Sequence, residues 1–240
     1  MRIFSLLMLI LFSVNTSAQV NLKINNQQYR FLEPVRLAHA LAPVAHNQDW
    51  YWPASGLFIV DESVEEQRNE VIELIDKLAI ELEPTDDRAI GLHALRQQIE
   101  GWKLAKRVPL KVNYDVARLN ISQNPKLLEG DYLLTLTPRP EVVHLSGLVK
   151  TPGPYKHQPA GSAYQYTQAI ELRADADPDF VYIIEPSGRL RNVNTAYWNR
   201  QYTQVMPGSQ IFVPIFSYLL TPSLSELNQK VAELAVNRVL

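Results

Sequence analysis

The sequence predicts an α+β protein made of two β-rich units, with a helical hairpin set into the first and an amphipathic helix at the end. Three observations carry that reading. Short apolar runs with a period of two recur in both halves of the 240-residue chain. Between them, residues 63–104 switch to a helical period. The 16 prolines against 9 glycines, in a chain that is 46% hydrophobic, fit many short strands ended by turns rather than a bundle of long helices.

Met1 and Arg2 precede an apolar run from Ile3 to Val14, and the small residues Thr16, Ser17 and Ala18 follow it. That run is the length of a signal-peptide core and too short to cross a bilayer, so residues 1–18 are expected to be a secretory signal cleaved after Ala18. The first unit, 19–140, opens with Val20 to Ile24 and Gln28 to Leu32 alternating around Asn25 and Asn26, a hairpin signal. Val35, Leu37, Ala38 and Leu41 form a short helical pattern, and Leu57 to Val60 reads as a third strand.

The hairpin insert is expected at 63–104. Val64, Val71, Ile75, Leu78 and Leu82 recur at helical spacing, with Ser63 and Glu66 placed as a capping box and Pro84 as the stop. A second helix from Asp86 to Leu104 would put Ile90, Leu95, Ile99 and Trp102 on one side. After it, Val108, Leu110 and Val112 alternate as in a strand, and Tyr132 to Thr137 is strand-like. The second unit, 141–216, offers strands at 141–145, 180–184, 189–193 and 210–215 and a helix at 164–172, with Pro186 and Gly188 in a turn. In the final segment, 222–240, Leu224, Leu227, Val231 and Leu234 form one apolar stripe that needs a partner.

Charge and motif content exclude several functions. Lys plus Arg number 23 against 25 Asp plus Glu, a net charge of -2, which gives no footprint for nucleic acid. Cysteine is absent, removing thiolate chemistry and disulfides. No later segment has the ~20 apolar residues of a membrane span. There is no GxSxG, HExxH or GxxxxGK[ST], and His39, His46, His93, His144 and His157 share no ligand spacing, so no metal or cofactor is expected. Asp175, Asp177 and Asp179 imitate the opening of a calcium loop, but Phe180 and Pro186 stand where glycine and glutamate are required.

Two stretches carry a resemblance. Val142 to Val149 with Gly147 near its end, followed by Thr151, Pro152, Gly153, Pro154 and Tyr155, resembles the soluble-ligand-binding β-grasp (SLBB) pattern. With Tyr51, Trp52 and Pro53, Arg107 to Val112, Asp115 and Arg118, Asn124 and Pro125, Gly130 to Leu133, Arg139 and Pro140, Pro207 to Gln210, and Leu227 and Asn228, the whole resembles the GfcC-like periplasmic family of group 4 capsule and exopolysaccharide operons. The resemblance implies two tandem β-grasp domains, the hairpin inserted in the first. It also implies a non-enzymatic periplasmic role in capsule assembly or export, with polysaccharide or export proteins as partners and a monomer or weak oligomer in solution. A polysaccharide-modifying enzyme and a protein-only adaptor stand as alternatives. Lys106 replaces the glycine that family carries before its arginine.

In that setting the candidate ligand-binding residues are Arg107, Asp115, Arg118, Arg139, Tyr51 and Trp52. A guanidinium can grip a carboxylate or phosphate through two parallel hydrogen bonds, which suits an acidic sugar or a carrier-linked glycan. An internal Arg107–Asp115 salt bridge orienting the hairpin is the structural alternative. Tyr51, Trp52, Tyr197 and Trp198 could stack on sugar rings, though core packing is the commoner use of large aromatics and the expected one here.

Overall fold

The computed structural model describes residues 19–218 and 220–240; the predicted signal segment lies outside them. The first unit comprises β1 (Val20–Ile24), β2 (Gln27–Phe31), β3 (Val35–Arg36), α1 (Leu37–Leu41), β4 (Gly56–Ile59), α2 (Ser63–Ala79), α3 (Asp87–Glu100), β5 (Lys106–Arg107), α4 (Tyr114–Leu119), β6 (Lys126–Leu127) and β7 (Gly130–Thr135). Its sheet runs β2-β1-β7-β4-β5, with β1 and β7 parallel and the other neighbours antiparallel, while β3 pairs with β6 alone. The second unit comprises β8 (Val142–Gly147), β9 (Gly153–Lys156), α5 (Ala163–Gln168), β10 (Phe180–Ile184), β11 (Leu190–Asn194) and β12 (Gln210–Val213), followed by α6 (Pro222–Val236). Its order is β11-β10-β12-β8-β9, again with the first and last strands parallel in the middle. A central parallel pair flanked by two hairpins is the β-grasp arrangement, present twice.

The hairpin α2–α3 leaves the first sheet between β4 and β5 but buries its apolar face against the second. Val64, Val71 and Ile75 of α2 and Leu92, Leu95 and Ile99 of α3 share one core with Val143, Leu145, Ile183, Ile211 and Phe212, while the first sheet has a core of its own around Leu22, Leu37, Leu41 and Leu134. The terminal helix α6 docks on the same larger core. All four residues of its stripe, Leu224, Leu227, Val231 and Leu234, are buried, a gain of about 1.5–3 kcal/mol each before entropy.

Two side-chain amides fasten these helices to backbone left over by the sheet. Gln98 of α3 accepts from the N–H of Gly147 and donates to its C=O, both at 2.9 Å. Asn228 of α6 does the same for Ile215, accepting at 3.0 Å and donating at 2.7 Å. Arg88 of α3 also pairs with Asp175 at 2.6 Å, which gives one member of the rejected calcium motif a structural role.

Several expectations change. Asp115 and Arg118, which follow the strand expected at Val108 to Val112, sit on the helix α4, capped by the Asn113 side chain. Val108 N–H still reaches across to Leu57 O, but Leu110 N–H turns back to Val108 O, and the three residues form no strand beyond β5. The Ser63–Glu66 capping box does not form, because Asp61 takes the Ser63 N–H at 2.8 Å. Hydrogen bonds from Ser63 and then Lys106 hold the Asp61 carboxyl well below the usual range. Lys106, in the place of the family glycine, has no left-handed backbone angle and pairs with Asp61 at 2.9 Å. On α3 the buried face is Ala89, Leu92, Leu95 and Ile99, and Ile90 is exposed, since a five-residue step to Leu95 turns it off that face. Tyr197 and Trp198 are 89% and 75% exposed, so core packing does not account for them.

Candidate functional site

A cavity of about 50 Å³ opens where the two β-grasp domains and the C-terminal tail meet. That is room for several waters or one compact anionic group. The first domain contributes Phe58 and Arg107, the second Pro186 and Gln210, and the tail Arg238.

Register builds the Arg107 side of it. Arg107 pairs with Phe58 across β4 and β5, and its own N–H donates to Asn237 Oδ1 at 3.0 Å, tying this short strand to the end of α6. Its guanidinium lies over the Phe58 ring at 5.0 Å from the centroid and reaches across the domain boundary to donate to Pro186 O. Two glycines make that path possible. A Cβ on Gly56 would come 2.9 Å from Arg107 Nη1, and one on Gly188 would collide with the Arg107 side chain. Gly188 also has φ +87, which lets the Glu185–Arg189 turn close beside the guanidinium.

Arg238 reaches the cavity from the residues after α6. Its guanidinium lies 4.4 Å from the centroid of the Trp102 ring and donates from Nη1 to Gln210 Oε1 at 2.8 Å. The buried Gln210 is fixed from its other end by donating to Ala235 O at 2.9 Å.

Neither arginine has a carboxylate partner among the described residues. Burial pushes both down to about 10. The one acidic residue on the cavity wall, Glu185, is engaged with Arg191 at 3.3 Å. Nearby, His144 is held below its ordinary value by burial and then by the charge of Arg238. With neither guanidinium ion-paired among the described residues, an oxyanion entering the cavity could accept hydrogen bonds from both and replace solvation they have lost.

The six sequence candidates fall in three places. Only Arg107 lines this cavity; the salt bridge to Asp115 does not form, and Asp115 instead faces Arg118 at 3.9 Å on an exposed helix. Arg118 borders a separate open groove in the first domain. Arg139 lies over Tyr51 at 5.3 Å beside the link between the domains, and Trp52 packs against the first core. Sequence reasoning missed Arg238 as a partner for Arg107. Gln210 and Gly208 lay within the Pro207–Gln210 motif, whereas a lone arginine in a helix tail carries no local pattern.

Comparison with known proteins agrees with this layout. Residues 151–240 match the family model described as capsule biosynthesis GfcC C-terminal, and residues 15–139 match capsule biosynthesis GfcC, N-terminal. The division falls between β7 and β9, close to the break between the two sheets. The chain is 31% identical over 153 residues to the uncharacterized protein YjbG of Escherichia coli (strain K12). The aligned stretch covers 64% of this chain and 62% of that relative.

Proposed function

The chain belongs to the GfcC capsule-biosynthesis family, and from that membership we propose that it acts in the periplasm as a non-enzymatic component of capsule or exopolysaccharide assembly or export, with the Arg107–Arg238 cavity as its anion-binding site. The observation that carries this reading is the pair of guanidinium groups lining one cavity, neither of them ion-paired to a carboxylate among the described residues. The ligand class is a carboxylate or phosphate borne by a glycan, such as a uronic acid or a sugar phosphate. A binding role is favoured over hydrolysis because the lining carboxylate is already ion-paired, leaving no acid–base couple in the cavity.

Calorimetric titration of the purified protein with glucuronate, glucose 1-phosphate and neutral glucose tests it. The two anions should bind and glucose should not, and Arg107→Gln and Arg238→Gln should each weaken binding by about tenfold or more, as loss of a charge-assisted hydrogen bond requires. Equal binding of glucose, or variants that bind as the wild type does, would remove the assignment. In cells, polysaccharide export in a deletion strain should be restored by the wild-type gene and not by Arg107→Ala.

A further inference from the structure

The first sheet ends in a free strand with a groove beside it. Among the described residues strand β2 has one neighbour, β1. The pairing of Ile24 with Gln27 closes a two-residue hairpin, so the hydrogen-bonded pairs are Ile24–Gln27, Leu22–Tyr29 and Val20–Phe31. The other side of β1 agrees, since Gly130 N–H donates to Gln19 O and Asn25 N–H to Leu134 O, placing the odd residues of β1 toward β7. Gln28 and Arg30 therefore turn their backbone N–H and C=O groups outward, one repeat of a strand apart.

The other free edges are proline-bearing, short or partly engaged. Strand β9 carries Pro154, β5 is two residues long and capped by Asn237, and at the end of β11 Gln201 N–H already donates to Asn194 O at 3.3 Å. Strand β2 has five residues and no proline, and no described residue bonds the outward backbone of Gln28 or Arg30.

Alongside β2, between it and the helices α1 and α4, runs an open groove of about 400 Å³. Its aromatic walls are Tyr29, Phe31 and Tyr114, and its charged or titratable members are Arg30, His39 and Arg118. The wall has no carboxylate. Beside it Asp115 faces Arg118 at 3.9 Å with both side chains more than half exposed, a contact too weak and hydrated to neutralise it.

We propose that β2 and this groove form a strand-addition site for an extended acidic peptide segment of a partner protein. The peptide would pair with the outward groups of Gln28 and Arg30, place alternate apolar side chains against Tyr29, Phe31 and Tyr114, and set the carboxylates of its other face near Arg30. Backbone pairing supplies affinity; the basic rim rejects basic strands and selects acidic ones. This site lies in the first domain, apart from the Arg107 cavity, so the two assignments stand or fall separately.

The test uses the full chain and two series of synthetic heptapeptides with alternating valine, the intervening positions being Glu in one and Lys in the other. Amide exchange followed by NMR reads the wild type directly. Free protein should exchange Gln28 and Arg30 amides quickly and Tyr29 and Phe31 slowly, and the Glu peptide should slow the first two. Gln28→Pro, which removes an outward N–H and leaves the β1 ladder whole, should abolish binding; Arg30→Glu should weaken it by about tenfold. Gln28 and Arg30 amides that stay unprotected with the Glu peptide present, equal binding of the Lys series, or full affinity in Gln28→Pro would overturn the proposal. So would a uronic acid oligosaccharide that shifts the Tyr29 and Tyr114 signals when neither peptide does, since the groove would then be a glycan subsite.

Discussion

Replacing Asn228 by alanine tests how α6 is held. Ile215 is fully buried, and the backbone on either side of it is already committed, with Asp177 N–H donating to Pro214 O and Phe216 N–H donating to Asp175 O. The N–H and C=O of Ile215 itself point the other way, where the Asn228 amide is their partner at 3.0 and 2.7 Å. Alanine leaves both groups buried without a partner. At about 1–3 kcal/mol for each orphaned group, the expected loss is about 2–6 kcal/mol, which for a chain of this size lowers Tm by about 4–24 °C. Urea unfolding followed by tryptophan fluorescence measures it, because Trp102 is buried in the core that α6 covers. Asn228→Asp is the matched control: it keeps an acceptor for the N–H but cannot donate to the C=O, and it should be destabilised as well. A loss below about 0.5 kcal/mol in Asn228→Ala, the range of ordinary surface substitutions, would refute the reasoning.

His144 is held below its ordinary value near 6.5 by burial and by Arg238, so the folded state binds fewer protons than the unfolded one. Stability from this group is present above pH 6.5 and lost as pH falls through the folded value; NMR titration of the imidazole should show Arg238→Gln, or phosphate bound in the cavity, raising that value. Asp177 is shifted the opposite way, raised mainly by burial although Asp179 N–H donates to it at 2.8 Å. Its contribution is full below its ordinary value near 3.8 and falls as pH rises through the folded value, so Asp177→Asn, which keeps the acceptor, should match or exceed wild-type stability at pH 7 by thermal melting and lose that advantage in acid.

Local structure was largely legible in the sequence because its causes are local. Asn25 and Asn26 mark the β1–β2 turn, and Asn25 takes the left-handed φ of 51 that asparagine tolerates better than most residues. The 3-4-3 spacing of Leu224, Leu227, Val231 and Leu234 named the buried stripe of α6 residue by residue. Where two local causes compete, the reading failed: the alternation of Val108, Leu110 and Val112 concealed that Asn113 caps a helix carrying Asp115 and Arg118. Family resemblance pointed to Arg107 and placed the hairpin within the first domain, which is its position along the chain. Only the tertiary structure showed that α2 and α3 bury their apolar faces on the second sheet, and that Arg107 meets Arg238 there. Periodicity states which face of a helix must leave water, but any apolar surface of the right shape will satisfy it. The choice of surface depends on chain connectivity and on pairings such as Gln98 with Gly147, which join residues far apart in sequence and leave no repeat to read.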